Sequence, residues 1–488
     1  MPHEPTFHQA GWQARDVFNI VVSAAEFARE PRARCYLRLL AVLAAPVANA
    51  RGDGPTEGRS LDVWGEWERL RQATDRARDV VNETGAPWAV VRLVPPTAES
   101  LRRALVPRDP GYQVLHLSCH GSPSGLTLED TLGRERLLPT DDLVAVLRTT
   151  TVRLVVLNAC STAELGQALV ERAGVPCVIA TCEPIDDREA RLLSEQLYGD
   201  LAAGACVGEA LKQTQNTIIE QMRAGDLRVP GTPEARANNL LLFGDSGLRL
   251  DPGDEAASAP CFILHPVPHN HPLPFEKVSG FVGRADELVE LARWFEQTGR
   301  RAFLISGVGG IGKTALALNA ALRHSYRFRA LAFTSAKDLS EFGALQVLQA
   351  LNEALSITTT PDEAANLPGA IARRLNTNAV LLILDNLETL ALERMAELAH
   401  SLAGLDPRNG SRVLMTLRPL EHDPLTALAD RRDRRDLATL GRVDALRLAW
   451  DAAVRQDLQL TPQSYGRPLA PDQGTELAAL REPIICII

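Results

Sequence analysis

Two long stretches of this chain alternate short, unbroken apolar runs with amphipathic segments of helical period, and a proline-rich stretch divides them. A run such as Leu154-Val155-Val156-Leu157 has no polar residue at alternate positions, so neither face of that strand suits water. Strands buried on both faces need helices on both faces. Strand–helix–strand order then implies a mainly parallel sheet, because parallel neighbours are joined by long crossovers. In the first stretch the apolar runs span residues 18–23, 36–43, 88–93, 112–119, 153–160, 177–182 and 240–244, with helical patterns at 61–83, 143–147, 163–173, 187–202 and 208–222. In the second, strands are expected at 302–306, 330–334, 380–384 and 412–416, and helices at 313–324, 342–355, 368–374 and 390–402. Residues 424–458 read as helical, and the charge run at 430–436 as a solvated face or loop. Pro252, Pro260, Pro266, Pro268, Pro272 and Pro274 make the divider an extended, partly rigid linker. The expectation is an α/β chain with a first domain over 1–250, a linker over 251–279, a second α/β domain over 280–420 and a partial helical subdomain over 421–488. A length of 488 residues accommodates this at about 100–200 residues per domain.

Charge and composition narrow the function. A net charge of −9 argues against a chain that coats nucleic acid or an acidic membrane. No apolar run reaches the roughly 18 residues of a membrane span. Met1-Pro2-His3-Glu4 is not the basic start of a secretory signal, so the expected location is cytoplasmic. The eight cysteines are scattered and form no CxxC pair, as reduced cytosolic thiols would be. His265, His269 and His271 lie among prolines and read as polar linker residues, not a metal site.

Gly307-Val308-Gly309-Gly310-Ile311-Gly312-Lys313-Thr314 meets G-x-x-x-x-G-K-[ST] at every fixed position, between an apolar strand and an amphipathic helix. Gly307, Gly309, Gly310 and Gly312 let backbone N–H groups turn inward around phosphates. Lys313 supplies a charge for the β- and γ-phosphates and Thr314 a hydroxyl for Mg²⁺. Residues 379–385 form a second apolar strand ending in Asp385, expected on the neighbouring strand as the acid that organises the metal. ATP or ADP with Mg²⁺ is therefore the expected ligand.

Phe281-Val282-Gly283-Arg284-Ala285-Asp286-Glu287, the glycine loop, Leu382-Ile383-Leu384-Asp385-Asn386-Leu387-Glu388 and Thr416-Leu417-Arg418-Pro419 follow in the order of the STAND class of signalling NTPases. The resemblance covers residues 281–458 and implies a switch, closed with ADP and assembling with ATP. It implies that Gly283 and Arg284 line the adenine site and that Arg418 senses the γ-phosphate. Asn386 stands where many ATPases carry a second acid, which argues against fast hydrolysis; Glu388 is a substitute candidate. The family continues into a Gly-x-Pro contact and a winged helix. Here Pro483 is present without the glycine, so the chain reads as a C-terminally truncated member.

The first stretch carries another constellation. One strand ends in Cys119-His120-Gly121; another ends in Asn158-Ala159-Cys160 and runs into a helix. If the two are adjacent and parallel, His120 and Cys160 lie together at the carboxyl edge of the sheet, where open α/β sheets place their sites. A helix N-terminus lowers a thiol pKa, and histidine can move the proton. Gly121 allows close approach, and its N–H with that of Cys160 would make an oxyanion hole. Spacing alone favours an inert buried thiol over a catalytic one. His116 faces the opposite side of the strand from Leu117 and Cys119 and reads as a core histidine; Cys119 reads as inert and Ser161 as a helix cap. Glu183, Asp186 and Asp187 are either an acidic pocket for a basic side chain or an acidic helix start.

The wider pattern resembles a CHAT domain: His116-Leu117-Ser118-Cys119-His120-Gly121, Gly125-Leu126-Thr127-Leu128-Glu129-Asp130, residues 154–163, Gly174-Val175-Pro176-Cys177, residues 198–204 and Leu240-Leu241-Leu242-Phe243-Gly244-Asp245. CHAT domains are caspase-like cysteine peptidases, so the resemblance implies a His120–Cys160 dyad and a caspase-like sheet. Together the two resemblances imply an ATP-regulated cysteine endopeptidase cleaving a protein substrate in bacterial signalling or defence. The rivals are a non-catalytic scaffold that assembles on ATP and an ordinary ATPase with an appended binding domain.

Overall fold

The computed structural model describes residues 37–51, 61–80, 88–105, 111–250, 281–337, 342–419, 424–429, 433–442, 444–446 and 448. The strand expected at 18–23, the linker at 251–279 with its three histidines, and the chain beyond 448 lie outside the described residues. The described residues fall into two compact units, one before Pro266 and one after Val267.

In the first unit β1 (Leu37–Leu43), α1 (Val63–Val80), β2 (Trp88–Arg92), α2 (Ala98–Leu105) and β3 (Val114–Ser118) come first. A small antiparallel sheet follows, β4 (His120–Ser122), β5 (Gly125–Glu129) and β6 (Glu135–Pro139). Then come α3 (Thr140–Leu147), β7 (Leu154–Asn158), α4 (Ala163–Ala173), β8 (Cys177–Thr181), α5 (Asp187–Ala202), α6 (Val207–Ala224), α7 (Pro233–Asn238) and β9 (Leu240–Gly244). The main sheet has the order β2-β1-β3-β7-β8-β9; only β9 runs antiparallel. Every residue of β1, β3, β7 and β8 is buried, as their largely apolar sequences require, and the burial extends to the polar Arg38, His116 and Ser118 within them. Leu115 and Leu117 pack with Leu101, Leu143 and Leu169 on one face, while Val114 packs with Leu70, Leu197 and Leu211 on the other. The hairpin sheet was not expected: β4 is three residues long, too short to show a period.

The second unit contains α8 (Ala285–Glu296), β10 (Ala302–Ser306), α9 (Lys313–Arg323), β11 (Ala330–Ser335), α10 (Ala344–Leu355), α11 (Pro361–Ala365), α12 (Leu367–Thr377), β12 (Val380–Asp385), α13 (Leu392–Ala403), β13 (Arg412–Leu417) and β14 (Arg434–Asp436). Its sheet is wholly parallel, in the order β11-β12-β13-β10-β14. Two expectations change here. Residues 434–436, read as a solvated part of a helical segment, form an edge strand on β10, anchored by Leu437 N–H to Ser306 O at 2.7 Å. The sheet thus extends past residue 420. Their charges hid the strand, since an edge strand with one solvated side can be polar. And β13 lies between β10 and β12, so Asp385 is not on the strand next to the glycine loop.

Candidate functional site

β3 and β7 are parallel neighbours whose last register pair is Ser118 with Asn158. His120 and Cys160 stand two residues beyond that pair, at the carboxyl edge, and line one cleft with Leu61, Asp62 and Ile185 among its walls. Beyond Cys160 the backbone turns sharply: Ser161 has a φ of 53° and α4 begins at Ala163, with Thr162 as its N-cap residue. Ser161 is therefore not the cap. The Thr162 hydroxyl donates to Ala159 O at 3.2 Å, and the Thr181 hydroxyl, from the end of β8, donates to the same oxygen at 2.5 Å. Thr162 N–H to Thr181 O at 2.8 Å closes the clamp. Neighbouring strand ends thus hold the turn that carries Cys160.

Gly121 packs directly on this turn. A Cβ there would collide with Cys160 O and stand 3.1 Å from both Cys160 N and Thr162 Cγ2. Only glycine admits such an approach.

The thiols differ sharply. Cys160 is partly accessible. Cys119 borders the same cleft but is buried, and burial, reinforced by the charge of Glu66 and by Cys160, pushes its thiol far above the ordinary range. Burial pushes Cys177 to about 12. Both are poor nucleophiles.

Beneath the cleft lies a polar cluster that sequence reasoning missed. Glu66 of α1 is buried, and its Oε1 accepts from Asn158 Nδ2 at 2.5 Å and Ser194 Oγ at 3.1 Å and meets His116 Nε2 at 3.0 Å; Oε2 accepts from Ser118 Oγ at 2.5 Å. His116 Nδ1 meets Tyr198 Oη at 2.9 Å. His116 is thus a core histidine, as expected, in a hydrogen-bonded and not an apolar core. Burial raises the Glu66 carboxyl pKa, but His116, Ser118 and Asn158 outweigh it and the net shift is downward. The one available signal was a glutamate in register with Val63 and Leu70 on the apolar stripe of the 61–83 pattern.

Asp186 caps α5, accepting from Arg188 N at 3.0 Å, and Glu189 closes the box on Asp186 N at 2.9 Å. Neither Glu183 nor Asp186 lines the cleft.

In the second unit Gly307–Thr314 joins β10 to α9, with Gly310 and Gly312 at φ of 78° and 96°. Lys313 Nζ donates to Gly307 O at 3.0 Å and Val308 O at 3.1 Å. Glu388 Oε1 lies 3.9 Å from Lys313 Nζ and 3.2 Å from Arg418 Nε. Burial holds the Lys313 ammonium below its ordinary value, with Glu388 opposing. Thr314 Oγ1 and Thr416 Oγ1 each donate to Asp385 Oδ1 at 2.6 Å. Asp385 therefore reaches the loop although β13 intervenes. Arg418 lies over Gly309, where a Cβ would stand 2.9 Å from its guanidinium. Arg284 donates to Ile311 O at 3.0 Å, tying Gly283-Arg284 to the loop. Among the described residues no cluster of three metal-ligating His, Cys, Asp or Glu side chains occurs, and no helix is long and apolar enough to cross a membrane.

The family model of the CHAT domain matches residues 10–262, just over half of the 488. The chain belongs to the CHAT domain family. No curated protein matches it. Among solved structures, it is similar to the complex of Porphyromonas gingivalis RgpB pro- and mature domains, at 12% identity over 45% of this chain and 50% of that one, TM-score 0.29. It is also similar to AMPPCP-bound DnaA from Aquifex aeolicus, at 20% identity over 38% and 56% of the two chains, TM-score 0.25. The third is C. elegans PCH-2, at 14% identity over 55% and 82%, TM-score 0.29. The chain spans about half the length of the gingipain chains it matches. Likeness at this level carries no argument about function.

Proposed function

We propose that this CHAT-family chain is a cysteine endopeptidase of caspase-like fold whose second unit is a STAND-type nucleotide switch. The observation that carries the peptidase reading is the β3–β7 pairing, from which His120 and Cys160 emerge into one cleft with Gly121 against the Cys160 backbone. Cys160 Sγ attacks the scissile carbonyl carbon while its proton passes to the His120 imidazole. The tetrahedral oxyanion is held by the N–H groups of Gly121 and Cys160. Collapse breaks the C–N bond, and the imidazolium gives its proton to the leaving amine. Water activated by the freed imidazole then hydrolyses the thioester and restores the thiol.

In the second unit the Thr314 and Asp385 oxygens converge, an all-oxygen pair suited to Mg²⁺. The metal, when bound, neutralises phosphate charge. Gly307, Gly309, Gly310 and Gly312 would hold phosphates by their N–H groups, and Lys313, which here donates to the Gly307 and Val308 carbonyls, would supply a positive charge for them. Arg418 would pair with the γ-phosphate, and Gly283 and Arg284 would border the base. ATP replacing ADP would favour self-assembly and activate cleavage of a protein substrate in the cytoplasm. A thiol-reactive peptide probe tests the reading: labelling of Cys160 that is lost in Cys160→Ala and stimulated by Mg–ATP supports it. Labelling that never occurs, with or without ATP, favours a non-catalytic scaffold. Lys313→Ala that loses ATP yet cleaves unchanged would refute the switch.

A further inference from the structure

Glu66 does more than fill a polar core. Its two carboxylate oxygens reach the two members of a single register pair, Oε2 to Ser118 on β3 and Oε1 to Asn158 on β7, each at 2.5 Å. That pair is the last point at which the two strands are hydrogen-bonded neighbours in register. Beyond it one strand continues to His120 and the other to Cys160, and Glu66 lines the same cleft as both. Ser194, donating at 3.1 Å, ties the clip to α5, and His116 at 3.0 Å ties it one step back along β3. The Asn158 amide cannot turn over, because its Nδ2 also donates to Ala190 O at 3.3 Å and both partners are acceptors.

We infer that Glu66 is a positioning residue for the Cys160–His120 site, holding the strand ends at the separation that brings imidazole to thiol; the inference rests on the peptidase reading above. A carboxylate suits this because it accepts from several donors at once, and charge-assisted bonds are short and directional. Residues that orient the ligands of a metal centre through hydrogen bonds cost about 10–100-fold when replaced, and a loss of the same order is expected of a residue that orients a reacting thiol and imidazole. Ser118 and Asn158 share the role as the arms of the clip.

The test uses the full chain and the fastest-cleaved member of a quenched-fluorescent peptide library, with Cys160 content titrated by a thiol-reactive peptide probe. Glu66→Gln keeps the shape of the side chain. It should lower kcat per titrated thiol by about 10–100-fold with KM unchanged. Ser118→Ala, which removes one arm and leaves the rest, should lower kcat by a smaller factor, and it decides the matter if Glu66→Gln does not fold. A purely structural role would reduce folded protein and Tm but leave kcat per titrated thiol at the wild-type value; that result overturns the inference. Cleavage surviving Cys160→Ala would instead sink the peptidase reading, so the two failures are distinguishable.

Discussion

Gly121→Ala places one methyl group at the point where the two halves of the cleft meet. The new Cβ would collide with Cys160 O and sit 3.1 Å from Cys160 N and from Thr162 Cγ2. To restore an ordinary C···O contact of about 3.3–3.6 Å, the two backbones must separate by about 1 Å. Neither yields readily. The Cys160 turn is clamped through Ala159 O by Thr162 and Thr181, and Gly121 is paired with Leu126 in the hairpin. Overpacking against backbone costs about 1–3 kcal/mol. In a domain of about 150–250 residues each kcal/mol lowers Tm by about 2–4 °C. The effect on chemistry should be larger, since a displacement of about 1 Å at a reacting centre costs on the order of 10²-fold. The assay is kcat/KM on a cleaved peptide beside the thermal melt. A variant that melts a few degrees lower and loses about two orders of magnitude supports close packing of Gly121 on the Cys160 turn and its proposed role as nucleophile. Activity within twofold of wild type would refute it, because no relaxed geometry accommodates that Cβ without moving Cys160.

Three further outcomes follow from the geometry. Iodoacetamide at mildly alkaline pH should modify Cys160 and spare Cys119, whose thiol burial holds protonated; mass mapping of alkylated peptides checks this, and equal modification would contradict the burial argument. The Glu66 carboxyl sits below its ordinary value of 4.5, so its stabilisation is fully present above about pH 4.5 and is lost as pH falls through the lower, folded-state value. Melts of wild type and Glu66→Gln should therefore converge on acidification, whereas a gap independent of pH would show that the charge is not what stabilises. Glu388→Gln removes the anion shared by Lys313 and Arg418 and should tighten nucleotide binding several-fold by calorimetry; weaker binding would assign Glu388 to the ligand's side of the site.

The parts legible in the sequence were those whose burial is one-sided in composition. Leu154–Asn158 and Val380–Asp385 declare themselves because strands buried on both faces are composed mainly of Val, Ile and Leu. The β3–β7 adjacency was expected only conditionally. Periodicity says nothing of strand order, and the same runs fit several sheets. β14 escaped notice because Arg434 and Asp436 carry charges that an edge position permits. The interposition of β13 between β10 and β12 likewise leaves no trace in spacing. Glu66 was harder still: its partners lie 50 to 128 residues away in the chain, and a single acid on an apolar helical stripe resembles a boundary residue.

Both units hold a buried carboxylate at the carboxyl edge of a parallel sheet, and their hydrogen bonds separate their roles. Every acceptor direction of Glu66 that the fold fills is filled by side chains of the protein: Asn158, Ser194, His116 and Ser118. Exchanging any of them for a ligand would break a contact that holds the strand ends, so such a group fixes geometry. Asp385 differs. Two of its donors, Thr416 on the neighbouring strand and Asn386 next in the chain, are structural, but the third, Thr314, opens the helix that follows the glycine loop. A hydroxyl that hydrogen-bonds a carboxylate at 2.6 Å can turn its lone pairs to a shared cation without moving either residue. Arg418 and Glu388 obey the same logic, since a cation left more than half exposed and paired to a carboxylate beside the loop can exchange that partner for phosphate. Under the proposed function, contacts that a ligand can replace would make the second unit the responsive one, and contacts that it cannot replace would make the first preorganised.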